Sequence, residues 1–437
     1  CKNRKLNKVL SLGSMPPANS FIKKKDLNKP ELSFPLEVNF CKTCGHIQLS
    51  HAVNPDILFR NYLYVSSTSS FFVQHFENYA KELFKRFKLT KKSLVLDIGS
   101  NDGILLKPFK SLGARVLGID PAIDIAKRAT KEGVETIPEY FNQQVAKKVV
   151  QSTGKASVIT ANNAFAHIYD IDEIILGVKI LLDDNGIFVI EVPYLLDLIN
   201  KNLFDTIYHE HLSYFSVSSL TVLFERHNLH IFDVQRIATH GGSIRVFIKD
   251  LDSKYEVTAT VKQLVVLEKK LKLHQEKTYL DFGKEIKENK KKLLGLLHSI
   301  KSQGKRIAGY GAPAKGNTLL NYFGIDRKLV DYIVDDSPLK QGKYTPGTHI
   351  PVVAPTKILS SKPDYILILA WNFADQIIDK LPVFSEQGGK FIIPVPEPKI
   401  KSDKKFIHKT IVEEDLISII EGIEKDAQKL AGKTLLI

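Results

Sequence analysis

The stretch FDTIYHEHLSYFS, Phe204 to Ser216, crowds Tyr208, His209, Glu210, His211 and Tyr214 among aromatic residues. Several titratable groups in one pocket are what general acid–base catalysis requires, and histidine titrates nearest to neutrality. The His-x-His spacing could also suggest a metal, but no further acid–histidine helical pattern accompanies it. Upstream, His167 sits in AFAHI, shortly beyond Asn162. A single histidine would more often be structural; the grouping favours catalysis. A second chemical pattern is Cys41-Lys42-Thr43-Cys44-Gly45, a knuckle whose glycine permits a tight bend and whose thiolates converge on one ion. A structural zinc takes four ligands and the chain has three cysteines, so Cys1 joins Cys41 and Cys44 as a candidate. The fourth ligand is expected from a residue preceding Cys1, with His46 or His51 as substitutes.

These groups need a scaffold, and SLVLDIGSNDGILL, Ser93 to Leu106, supplies its centre. Leu94-Val95-Leu96 reads as a buried strand ending in Asp97. The chain turns at Gly99 and resumes a helical apolar pattern after Asn101-Asp102-Gly103. A strand, glycine turn and helix start let a nucleotide-like ligand approach the backbone at a sheet's carboxyl edge. Asp120, closing the next strand (Val116 to Ile119), could take the two hydroxyls of a ribose. The glycines run Gly99-x-x-x-Gly103, without the phosphate-cradling G-x-G-x-x-G. The pattern therefore resembles the S-adenosylmethionine (SAM) site of class I methyltransferases, SAM having no phosphate. Further strands, Thr136-Ile137, Ser157–Thr160 and Gly186–Glu191, alternate with helices and imply a mostly parallel sheet covered on both faces. Its ligand edge should collect Asp97, Gly99, Asn101, Gly103, Asp120, Asn162 and Asn163.

The chain of 437 residues is long enough for two or three domains, and its 43% hydrophobic and 25% charged content is that of a globular protein. The net charge of +14 is spread over helical surfaces, as in Lys290-Lys291-Lys292, and reads as solvated faces rather than a nucleic-acid footprint. No apolar run approaches the roughly 20 residues that span a bilayer. Too few cysteines for a disulfide framework suit a reducing cytoplasm.

A long charged helical pattern from about Thr258 to Gln303 leads to a second strand–glycine–helix, Arg306 to Gly316. There the amides of the helix start and Lys315 could hold an anion. Strands at Val330–Val334, Asp364–Leu369 and Phe391–Ile393 complete a smaller parallel sheet. Helical spacing of Leu416, Ile419, Ile420 and Ile423 suggests a helical tail.

YHEHLSYF, VLDIGSNDGILL, the C-x-x-C-G knuckle, ATHGGSIRV (Ala238 to Val246) and GYGAPAKGNT (Gly309 to Thr318) together resemble the SAM-dependent sugar C-methyltransferases, over about residues 1 to 400. The resemblance implies alkylation of a ring carbon of a nucleotide-linked keto-deoxysugar. It makes His211 the base, with Tyr208, Glu210 and His167 beside it, Tyr62 and Tyr64 facing the sugar, and Lys315's domain holding the nucleotide diphosphate. The chemistry is consistent: removing a proton beside a ketone makes the carbon nucleophilic. Tyr208 or His167 is then expected to hydrogen-bond the enolate oxygen, and Glu210 to orient His211 or hold a sugar hydroxyl.

The expected architecture is α/β, a class I methyltransferase doubly wound sheet with a small zinc module and a Rossmann-like domain. It divides into a zinc-binding module and linker (1–70), a SAM-binding domain (71–255), a Rossmann-like nucleotide-sugar domain with connecting helices (256–400) and a helical tail (401–437). Expected cofactors are SAM and a structural zinc. The expected partner is a nucleotide-linked sugar, not nucleic acid or membrane, for a cytoplasmic monomer. Alternatives are an O- or N-methyltransferase on a related sugar, an RNA-modifying methyltransferase, and an oxidoreductase with two Rossmann units.

Overall fold

The computed structural model describes residues 1–59, 65–68 and 70–401. Tyr62, Tyr64 and the tail from 402 to 437 lie outside the described residues. The opening strand is Leu94–Ile98, and its side chains alternate as the pleat requires. Leu94, Leu96 and Ile98 enter one apolar layer, and Val95 enters the other. Neighbouring strands repeat the division, with Ile159 and Phe188 on the first side and Val158 and Ile187 on the second. Burial on both faces explains why these segments read as continuous apolar runs rather than alternating ones.

Seven strands form the central sheet, in the spatial order Leu229–Ile237, Ser243–Asp250, Leu182–Pro193, Ala156–Asn162, Leu94–Ile98, Arg115–Ile119, Thr136–Ile137. Only Ser243–Asp250 runs against its neighbours; the remaining pairings in this sheet are parallel. The order reverses between Leu94–Ile98 and Ala156–Asn162, which makes a crevice at their carboxyl ends the natural ligand position. Helix Ser70–Arg86 covers one face with Phe72, Phe76 and Leu83, while Gln143–Thr153 and Ile171–Leu181 cover the other.

A second sheet of six strands follows the helices Ala259–Lys270 and Glu276–Ser302. Its parallel members include Ile307–Tyr310, Tyr365–Ile368 and Lys390–Ile393, with Lys399–Lys401 added antiparallel at the edge. Among the described residues no helix is long and apolar enough to cross a membrane.

The amino-terminal module is more regular than its prolines suggest. Asn7–Met15, Phe34–Phe40 and Ile47–Leu49 form an antiparallel sheet, and its fourth strand is Ser213–Tyr214, from the histidine-rich segment. Ile22–Lys23 pairs in turn with Lys343–Tyr344 of the carboxyl-terminal half. Neither pairing has a local sequence signal.

Glu268, 1% exposed on helix Ala259–Lys270, fastens that helix to the central sheet. Its carboxylate accepts from the Val217 and Ser218 amides at 2.6 and 2.9 Å and from the Tyr194 hydroxyl at 2.8 Å. It thereby supplies acceptors to the start of helix Val217–Glu225. Replacing Glu268 by Ala leaves these buried donors unpaired and should cost about 3 kcal/mol, read as a lower denaturant midpoint at unchanged m-value.

Candidate active site

The backbone of the histidine segment is fixed from two sides. The Leu212 amide donates to the Ala166 carbonyl at 2.8 Å, and the Leu212 carbonyl accepts from Leu49 N at 2.9 Å. The first bond brings the segment against the 3-10 turn Phe165–His167 at the end of strand Ala156–Asn162. His167 and His211 consequently stack, with ring centroids 5.1 Å apart.

His211 is 9% exposed, with Nδ1 2.8 Å from the Thr206 carbonyl and Nε2 2.9 Å from the Tyr208 hydroxyl. A carbonyl can only accept, so Nδ1 carries the proton and Nε2 presents a lone pair to the Tyr208 O–H. Burial pushes the His211 pKa down to about 4, the Thr206 carbonyl opposing it. The ring is therefore neutral near pH 7, the state a proton acceptor needs.

Two expectations change here. Glu210 does not orient His211; Thr206 does, and Glu210 instead accepts from Asn19 Nδ2 at 2.6 Å, reaching the amino-terminal module. Tyr208 is engaged with His211 rather than open for an enolate oxygen. His167 packs between His211 and Phe59, whose centroid is 5.5 Å away, and its Nε2 is buried with no hydrogen-bond partner among the described residues. Burial, reinforced by His211 and His240, holds its pKa well below the ordinary value.

At the sheet's switch point, Gly99 has φ +74°, and a Cβ there would meet the Ala164 Cβ at 2.6 Å. Only glycine allows the two loops to approach this closely. Asp97 is buried and accepts from the Thr160 hydroxyl at 2.6 Å; burial, with Asp120 nearby, raises its pKa to about 7 against the pull of Thr160. Asp120 uses both oxygens on backbone amides, Asn101 N at 2.8 Å and Ala122 N at 2.9 Å, which shapes the turn while leaving acceptor lone pairs for a ligand. Asn101, at φ +49°, donates this amide and receives the Ser66 amide on its Oδ1 at 2.9 Å; Gly103 follows at φ +76°.

Asp102 is the residue that sequence reasoning passed over, although it lies within the quoted motif. It is fully buried, and neither carboxylate oxygen has a partner among the described residues. Ser100 Oγ likewise has no partner among the described residues, and the Asn162 amide lies close enough to Asp97 to lower the pKa of that carboxyl. Burial raises the pKa of Asp120 against the Ala122 and Asn101 amides, and Asp102 adds to the rise. Orphaned acceptors beneath a tight glycine turn fit a cationic ligand bearing hydroxyl and ammonium donors, as SAM does.

Three further groups face the same region. Glu191, fully buried, accepts from His75 Nε2 at 2.9 Å, Arg245 at 3.0 Å and Thr239 at 3.1 Å. His240 occupies the turn after Thr239. Lys315 hydrogen-bonds Asn372, and its Nζ lies 3.9 Å from the Trp371 ring centroid. Trp371 Nε1 donates to Asp205 at 2.6 Å. Burial lowers the Lys315 pKa to about 8, opposed by Asp205, and raises that of Asp205 to about 6. Lys315 thus faces the seam between the two sheets. His75 has no motif around it; Glu191 closes the strand Gly186–Glu191, Asp205 lies inside FDTIYHEHLSYFS and His240 inside ATHGGSIRV, each with no role attached.

The Cys1, Cys41 and Cys44 sulfurs lie within 4.8 Å of one another. The Gly45 amide closes the knuckle on the Cys41 carbonyl at 2.9 Å, with Gly45 at φ +70°. His46 bonds Ser213 Oγ at 3.3 Å and His51 stacks on Phe34, so neither joins the sulfur cluster. Three converging thiols in one knuckle fit zinc.

Three family models match the chain in order: a proposed zinc binding domain over residues 1–59, a methyltransferase domain over 72–234, and a C-methyltransferase C-terminal domain over 238–396. The C-methyltransferase NovU of Streptomyces niveus is 40% identical over 394 residues, 90% of this chain and 94% of that protein. A ubiquinone biosynthesis O-methyltransferase of Azorhizobium caulinodans is 25% identical over 150 residues, 33% of this chain and 54% of that one. The SAM-bound magnesium protoporphyrin IX methyltransferase of Synechocystis PCC 6803 aligns at a TM-score of 0.31 and 14% identity, covering 41% of this chain and 79% of that one. That overlap is too small to argue from.

Asp102→Asn tests the cofactor pocket in two directions at once. Removing a buried carboxyl that has no partner among the described residues should raise the thermal midpoint of the ligand-free protein. The same change should weaken SAM at least tenfold, about 1.4 kcal/mol, by calorimetry. Cys41→Ser should lower the zinc content on elemental analysis, together with the thermal midpoint. Activity should fall with them, because the zinc module's sheet includes Ser213–Tyr214.

Proposed function

The chain belongs to the C-methyltransferase family, and we propose that it methylates a ring carbon of a nucleotide-diphosphate-linked keto-deoxysugar. SAM, when bound, supplies the methyl group. The protein's own task is to make a carbon nucleophilic, which requires removing a proton beside a carbonyl and stabilising the charge left behind. One observation carries the reading: a buried, neutral His211 whose Nδ1 is committed to Thr206 and whose Nε2 lone pair faces Tyr208. In this reading Nε2 takes the proton, the Tyr208 hydroxyl yields its place as substrate enters, and Glu210, held by Asn19, receives a sugar hydroxyl. Desolvation strengthens each of these interactions.

Asp97, Gly99, Asn101, Gly103, Asp120 and Asn162, joined by Asp102, would hold SAM. Lys315, at the seam, is positioned to meet the anionic part of the substrate. Its cation lies on an aromatic face close to Asp205, whose Oδ1 has no hydrogen-bond partner among the described residues, and a phosphate oxygen would compete for it. The sugar class rests on the resemblance of the motifs; the carbon acceptor is supported by the relation to a C-methyltransferase.

The test is solvent-deuterium exchange at the ring carbon of nucleotide-linked ketosugars without SAM, followed by mass spectrometry of the methylated product. Exchange at carbon supports the reading; a methyl group on oxygen or nitrogen, without exchange, would overturn it. His211→Asn should keep SAM affinity and lose about 10²–10⁴-fold in exchange. Because the basic form persists down to about pH 4, the exchange rate should stay level on acidification through pH 6.5, where an ordinary histidine would protonate, and decline only as pH approaches 4.

A further inference from the structure

His240 lies in the turn Thr239–Gly241 that joins strand Leu229–Ile237 to strand Ser243–Asp250, at the ligand edge of the central sheet. Its backbone is left-handed, φ 56° and ψ 17°, an uncommon conformation for a side chain of this size. The surrounding structure enforces it. Thr239 Oγ1 bonds Glu191 at 3.1 Å, the Gly242 amide and Ser243 hydroxyl both donate to the Thr239 carbonyl, and Lys201 Nζ donates to the Gly241 carbonyl at 3.0 Å. The following glycines cannot be replaced cheaply: a Cβ at Gly241 would strike Trp371 and Leu203, and one at Gly242 would strike Asp197. Strain held in place from several sides concentrates at functional positions.

What the strain achieves is the placement of one ring. The His240 imidazole packs on Phe72, centroids 5.3 Å apart, in a half-buried position. Neither ring nitrogen has a hydrogen-bond partner among the described residues. Of the neighbouring histidines, His211 is engaged by Thr206 and Tyr208 and His75 by Glu191, while His167 stacks between His211 and Phe59 with its buried Nε2 unpartnered among the described residues. The groups that act on His240 electrically are Lys315, His211, Glu191 and His75; burial, then Lys315, lowers its pKa to about 3.

We propose that His240 is a further catalytic residue, donating a ring N–H to the substrate carbonyl oxygen as it becomes an enolate, opposite the base His211. This rests on the C-methylation reading above. The step is a proton transfer and balances within the site: the C–H proton goes to His211 Nε2, its electron pair forms the C=C bond, and the carbonyl π pair moves to oxygen against His240 N–H. A neutral imidazole donates without protonating the oxygen fully, so the enolate stays reactive at carbon. Lys315, beside it, adds positive potential to the same oxygen.

The experiment uses the full chain with a thymidine-diphosphate-linked 4-keto-6-deoxyhexose as probe and, should the wild type not exchange it, the guanosine-diphosphate analogue. His240→Gly accepts the left-handed backbone without strain and removes the ring; His240→Gln restores a donor at nearly the same reach. The glycine variant should keep its SAM affinity within twofold and its probe affinity within about tenfold, while losing about 10²–10³-fold in exchange and in methyl transfer. The glutamine variant should recover at least tenfold of that loss, which a merely structural role would not produce. Exchange in His240→Gly within threefold of wild type would overturn the proposal. So would a glutamine variant no faster than glycine. If the glycine variant fails to bind SAM, His240→Asn, also suited to this backbone, decides: exchange at the wild-type rate overturns the proposal, and a loss beyond tenfold with SAM binding kept supports it. Failure of the C-methylation reading looks different, because the wild type itself would then exchange no ring-carbon proton in either probe.

Discussion

Leu212 makes two backbone hydrogen bonds on which the arrangement of the site depends. Its amide reaches Ala166, in the turn following a central strand, and its carbonyl receives Leu49, in the amino-terminal sheet. The preceding residue is His211. A single residue thus locks the histidine segment between two separately built sheets, and the lock fixes the stack of His167 on His211. Backbone bonds suit this purpose because a buried amide or carbonyl left without a partner is costly, so the register cannot drift. A zinc held by Cys1, Cys41 and Cys44 would act on the site at a distance, by bracing the module whose sheet includes Ser213–Tyr214.

The interior so formed is buried, and burial sets its electrostatics. Burial disfavours charge, leaving His167, His211 and His240 neutral. It also raises Asp97 and Asp120 at the cofactor turn. One side of the crevice is therefore a set of neutral imidazoles able to exchange protons or donate hydrogen bonds. The other is a group of carboxylates, with Asp102 unpaired, that a cationic ligand would satisfy. In the proposed reaction these opposite characters would separate the methyl donor from the carbon acid that is deprotonated.

The carboxyl-terminal sheet closes the region rather than standing apart from it. Trp371 lies against the His240–Gly242 turn through the space that Gly241 leaves, and Phe373 packs on Phe71, 5.8 Å between centroids. Lys315 arrives at the same seam on the first turn of helix Ala314–Phe323. A lysine on the Trp371 face, hydrogen-bonded to Asn372 and close to Asp205, would be a cation for an incoming anion to meet. Recognition of the distant part of a substrate and closure over its reactive part would then be the same event.

Local patterns decided a good deal of this by themselves. The strand–glycine–helix at Leu94 to Leu106, the alternation of strands with helices, the knuckle at Cys41–Cys44 and the histidine-rich segment each carry their meaning within a dozen or so residues. That suffices because period, turn residues and ligand spacing are properties of neighbours along the chain. What no such window contains is pairing across hundreds of residues. The fourth strand of the amino-terminal sheet comes from Ser213–Tyr214, Glu210 finds Asn19, Thr206 rather than Glu210 orients His211, and Asp120 spends its oxygens on backbone amides. The buried Glu191 and its partners His75 and Arg245 come from separate elements with no shared motif. These were decided by tertiary structure because hydrogen-bond satisfaction in a buried site is a three-dimensional constraint: which donor a carboxylate or imidazole meets depends on packing, and on which elements packing brings to the same edge of the sheet.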